Sequence, residues 1–111
     1  MGFLSKLFGK QEEEKAAAAP PVSVPTVAAE KSIPPEKVGL DGNFDESGLA
    51  KRVAKALDDA NISDHVGLWV AQTGSVVVLK YNPDAQEVLE QAKQVALSVE
   101  GASDVQIMPN T

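Results

Sequence analysis

Asp41, Asn43 and Asp45 stand at alternate positions in DGNFDESG, the spacing with which an oxygen-ligand loop wraps calcium. Such a loop also needs glycine at its sixth position and glutamate at its twelfth, where this chain has Glu46 and Arg52. The stretch reads better as the polar start of a helix, with Asp45 or Ser47 as its cap. His65 is the single histidine, and with no cysteine in the chain it has nothing with which to share a metal. Ser47-Gly48 has neither the context of a nucleophile elbow nor a base. Gly39, Gly42 and Gly48 do not make a phosphate cradle closed by a lysine. The acidic pair Asp58-Asp59 and the run EEE at 12–14 are sequence neighbours and read as solvated faces. The residues able to do chemistry do not gather into a site, so the chain reads as a non-enzyme without metal or cofactor.

The elements that would position a binding surface are more informative. At 111 residues there is room for one small domain. Five of the seven prolines, Pro20, Pro21, Pro25, Pro34 and Pro35, fall within residues 20–35. Proline interrupts helix interiors and central strands, so residues 16–43 read as a disordered, semi-extended Ala/Pro-rich linker. Residues 1–43 carry five lysines against six acids, and residues 44–111 five basic against ten acidic residues, a net −5. A folded part this acidic repels a phosphate backbone, which excludes nucleic acid as a partner. No apolar run approaches the roughly 20 residues of a membrane span. Lys6 and Lys10 interrupt any secretory h-region, so the expected location is cytoplasmic, with a peripheral position on the inner face of the membrane as a further option.

Residues 1–15 read as an amphipathic segment. Phe3, Leu4, Leu7 and Phe8 gather on one helical face, with Lys6 and Lys10 off it. So short a helix is not stable alone in water and must fold on something. An anionic membrane surface and a groove on a partner protein are the two candidates.

Residues 44–111 read as an α+β domain of order α-β-β-α-β, a three-stranded sheet with two helices on one face. The stretch DESGLAKRVAKALDDAN is a helix burying Leu49, Val53, Ala56, Leu57 and Ala60, stopped at Asn61. HVGLWVAQTGSVVVLKY is a pair of strands. NPDAQEVLEQAKQVALSVEG is a second helix, opened by Asn82 or Asp84 with Pro83 in its first turn and closed by Gly101. Its buried stripe is Val88, Leu89, Ala92, Val95, Ala96 and Val99, and SDVQIMP is the last strand.

With Thr73-Gly74 as the hairpin turn, Val70 opposes Val77 and Trp69 opposes Val78. One face then carries Val66, Leu68, Val70, Val77, Leu79 and Tyr81 and seats both helices. The other carries Trp69, Ala71, Val76 and Val78, joined by Met108 if Val105 and Ile107 point inward. An apolar face left open marks an interaction site, for a protein partner or a homodimer. Alternatively the linker folds back and covers it through Val22, Val24 or Ile33. A register slip of one residue would exchange the two faces.

The stretches LAKRVAKAL, VGLWVAQTGSVVVL and AKQVALSVEGASDVQI resemble those of a BON domain, a bacterial module with this same order of elements. The family commonly has glycine shortly after the second strand, where this chain has Lys80-Tyr81-Asn82. The resemblance implies a binding module associated with membranes and phospholipid surfaces. It also implies potassium as a ligand to consider, because a BON domain joined to a LysM domain occurs in a cytoplasmic potassium-binding protein. The present chain resembles that BON half without the LysM segment, and no ligand residue carries over.

The expected function is therefore a non-enzymatic adaptor, tethered through its linker to a docking helix. The alternatives are a potassium sensor and an assembly protein that docks through residues 3–10 into a larger bacterial structure.

Overall fold

A glycine opens the first long helix, and the reason lies in its neighbour. In the computed structural model, which describes residues 3–9, 32–40, 43–62 and 66–109, this helix (α2) spans Gly48–Asp59. A Cβ on Gly48 would stand 2.4 Å from the carbonyl oxygen of Val38, so only glycine lets the helix start against that backbone. The other elements are a short helix α1 (Phe3–Phe8), strands β1 (Leu68–Thr73) and β2 (Val76–Tyr81), helix α3 (Gln86–Leu97) and strand β3 (Asp104–Pro109). A 3₁₀ turn at Pro83–Ala85 leads into α3 and includes the anticipated Pro83. Asn61 leaves α2 at φ 60 and Gly101 follows α3 at φ 94, both left-handed stops, which asparagine tolerates and glycine, without a Cβ, adopts freely.

The sheet has the order β1-β2-β3, with β1 and β2 antiparallel and β2 and β3 parallel. This is the α+β class the element order implies. The hairpin register differs from expectation by two residues: Val70 pairs with Leu79 and Thr73 with Val76, which puts the turn at Gly74-Ser75. Gly74, at φ 59, takes the first central position, the place a type II′ turn reserves for glycine. Because side chains alternate with period two, a slip of two leaves every residue on its expected face.

The core lies between that sheet and the two long helices, joining Leu49, Val53 and Leu57 of α2 with Ala92 and Ala96 of α3 and Leu68, Val70, Val77 and Leu79 of the sheet. The stripe of α2 is rotated from the expected one, burying Ala50 and Ala54 while Ala56 and Ala60 are half-buried. Val105 is buried, but Ile107, paired with Leu79, is exposed on β3.

The boundary between linker and domain also moves. Residues 32–40 belong to the folded unit: a 3₁₀ turn spans Pro35–Lys37, Val38 bridges to Phe44, and Val38 and Leu40 are buried. Arg52 of α2 holds this segment and also reaches the turn that follows α3. Its Nε donates to the Val38 carbonyl at 2.8 Å, Nη2 to that of Pro35 at 2.5 Å, and Nη1 to that of Glu100. Burial lowers the Arg52 pKa below its ordinary value, while the nearby Glu100 carboxylate acts to raise it. The rest of the expected linker, residues 16–31 with Val22 and Val24, lies outside the described residues, as do Lys10 and His65.

Candidate functional site

The face of the sheet turned away from α2 and α3 is built by the alternation of three strands. Val78 sits at its centre on β2, with Ala71 opposite on β1 and Gln106 opposite on β3. Trp69 pairs with Lys80, which in turn pairs with Met108, and Val76 pairs with Asp104. The expected interaction residues Trp69, Ala71, Val76, Val78 and Met108 thus share one face. Their exposure is graded: Val78 is 7% exposed, Met108 is 44% exposed, Ala71 is exposed, and Trp69 and Val76 are half-buried. Val78 is buried outside the main core cluster, so this face forms a second, shallower apolar surface. Lys80, Gln106 and Asp104 belong to it as well. The same period of two that placed Val78 there points to Lys80, two residues on.

The amphipathic segment has a different setting from the one its composition implies. Phe3 is 0% and Leu4 2% exposed, both inside the domain's own core cluster, with Leu7 and Phe8 packed partly against it. The segment does fold on a surface, and the surface belongs to its own chain. Asp58 makes the seat specific: its Oδ1 accepts the Phe3 N–H at 2.6 Å and its Oδ2 the Leu4 N–H at 3.2 Å. These are orphan donors of a helix start, so Asp58 caps α1 from another helix. Its reading as part of a solvated acidic pair is corrected accordingly, whereas Asp59 does face solvent, paired with Lys55 at 2.8 Å.

Lysines line the same seat. Lys6 Nζ donates to the Val66 carbonyl at 2.8 Å and lies 5.9 Å from the Trp69 ring centroid, at the rim of the open face. Lys51 Nζ lies 5.9 Å from the Phe8 ring and pairs with Asp45 at 2.7 Å.

The start of α2 also departs from expectation. Ser47 occupies the cap position but makes no side-chain cap bond. Gln72 of β1 supplies it instead, its Oε1 accepting the Ala50 N–H at 2.8 Å while its Nε2 donates to the carbonyls of Glu36 and Gly74. Asp45 accepts the Ser47 N–H at 2.9 Å, so its carboxylate orders the approach to the helix. Among the described residues no group of His, Cys, Asp and Glu is arranged to hold a metal ion.

Family models, curated proteins and solved structures offer no counterpart to this chain. Among the described residues no helix is long and apolar enough to cross a membrane.

Proposed function

We propose that this chain is a non-enzymatic adaptor, a BON-like binding module that takes a protein partner on the open face of its sheet. One observation carries the reading: Trp69, Ala71, Val76, Val78 and Met108 lie together on the face opposite the two long helices, apolar and partly exposed. Contiguous apolar surface of this kind serves binding more often than stability, and tryptophan is a favoured anchor. The order α2-β1-β2-α3-β3 agrees with what the BON resemblance implies. The test is affinity capture with the full chain and with Ala71→Asp/Met108→Asp, two exposed positions whose change spares the core. A partner, a second copy included, held by the first and lost by the second supports the reading. Equal capture by both sinks it.

The tethering half of the proposal assigns α1 to an anionic membrane surface. Phe3 and Leu4, the residues that would enter the lipid, are buried on the domain, so membrane docking requires α1 to leave its seat. Cosedimentation of the full chain and of Asp58→Ala with anionic vesicles tests this. Stronger pelleting of the variant is the expected result, and absence of both chains from the pellet rejects the membrane as target.

A further inference from the structure

The open face carries unlike charges at its two ends. Lys80, exposed, stands at one end of β2, level with Trp69 and Met108. Asp104, exposed, stands at the other end, beside Val76. Between them the central row is Ala71, Val78 and Gln106, without charge.

We propose that this face seats a second copy of the chain, sheet on sheet with the strands of the two copies running antiparallel, so that Lys80 of each copy meets Asp104 of the other. The proposal rests on the reading of this face as the binding surface and adds its occupant and alignment. Sheets packed face to face keep their strands nearly aligned, so two twofold arrangements need to be compared. With the axis running along the strands, Lys80 lies over Lys80 at the interface and like charges are desolvated together, which is costly. With the axis across the strands, Val78 meets Val78 and the Lys80 end of one copy covers the Asp104 end of the other. Lys80 is then offset from Asp104 by about one strand spacing, roughly 4.8 Å, within reach of its side chain. The charges select the second arrangement and repeat the favourable pair twice. Three strands of six residues give a face of roughly 14 by 20 Å. That is small for a specific interface, so a weak dimer with a Kd in the micromolar range is expected.

Sedimentation equilibrium of the full chain from about 5 to about 500 µM, a range that brackets this affinity, tests the proposal. The wild type is expected to dimerise, Lys80→Asp and Asp104→Lys each to weaken the dimer about tenfold or more, and the double reversal to recover it. Ala71→Asp should abolish it. A chain monomeric at every concentration overturns the proposal, with the face covered by its own residues 16–31 or left to another protein. The binding-face reading then stands or falls on the capture test. A dimer lost in Ala71→Asp but indifferent to both reversals overturns the antiparallel alignment. A dimer that Ala71→Asp leaves intact overturns the proposal and places self-association elsewhere.

Discussion

Asp58 accepts the backbone N–H of Phe3 at 2.6 Å across 55 residues of sequence, and this one carboxylate joins the last turn of α2 to the first turn of α1. An acid in the last turn of a helix opposes the helix dipole. Here the positive end of α1 meets it, so two unfavourable ends become one favourable contact. Asp58→Ala should cost about 1–2 kcal/mol, the usual worth of a cap. Amide exchange at Phe3 and Leu4 should accelerate while exchange in β2 stays slow. Equal protection of the two amides in wild type and variant would refute the cap.

Phe3 and Leu4 are buried like core residues, yet docking of α1 on a membrane, as proposed, requires their helix to detach from a domain that stays folded. A buried Phe→Ala change commonly costs about 3–5 kcal/mol. The loss at Phe3 cannot exceed the free energy with which α1 docks, because beyond that point the helix leaves and the domain remains folded. Phe3→Ala and Leu4→Ala should therefore be strongly sub-additive in urea unfolding, and the double variant should resemble either single one. Full additivity would mean that α1 is an inseparable part of the cooperative unit.

Gly48→Ala tests whether local propensity or packing rules at the start of α2. Propensity alone predicts a gain of up to about 1 kcal/mol. The Val38 carbonyl, 2.4 Å from where the new Cβ would stand, predicts a loss. The loss should be about 1–3 kcal/mol, as for other overpacked sites. A higher melting temperature for the variant would contradict the close approach.

Arg52→Lys keeps the charge and removes the fork. A lysine ammonium cannot serve the carbonyls of Pro35, Val38 and Glu100 in the same geometry. Loss of about 1–3 kcal/mol is expected, chiefly from the carbonyl of buried Val38 left unpaired, with residues 32–40 becoming a new site of proteolytic cleavage. Unchanged stability and cleavage pattern would show that the guanidinium is dispensable.

Much of this fold was legible in local pattern. Alternation along LWVAQT and VVVLKY placed each strand residue on its correct face, and Pro83, Asn61 and Gly101 marked their boundaries through backbone preferences that act within a few residues. The hairpin turn was misplaced because glycine fits either central position, depending on turn type. What local pattern could not supply were the long-range partners. Gln72 capping α2, Asp58 capping α1 and Arg52 binding Val38 join residues 14 or more apart, and nothing in the spacing of a glutamine or an aspartate names the carbonyl or N–H it will meet. The same holds for Val38 and Leu40. Their neighbours Pro34 and Pro35 gave that stretch the look of a spacer, although an extended segment buries side chains without regular structure. The open face lay between these cases: its membership was readable, and Lys80 and Asp104 acquired meaning only once the parallel pairing of β2 and β3 set their positions.

That parallel pairing also orders assembly in time. The β1-β2 hairpin closes over a two-residue turn and can form on its own within microseconds. Strand β3 reaches β2 only after the chain has passed through α3, so its loop must close over more than twenty residues before any ladder bond rewards it. The bond between Ser75 and Ser103 hydroxyls, 2.7 Å, ties the hairpin turn to the start of β3 and is made in that late step. During synthesis the hairpin would therefore wait with the β2 edge unsatisfied, the interval in which a nascent chain is most exposed to pairing with the wrong strand. Ser103→Ala should leave the hairpin's rate of formation unchanged and slow only the closing phase, a difference that stopped-flow refolding can resolve.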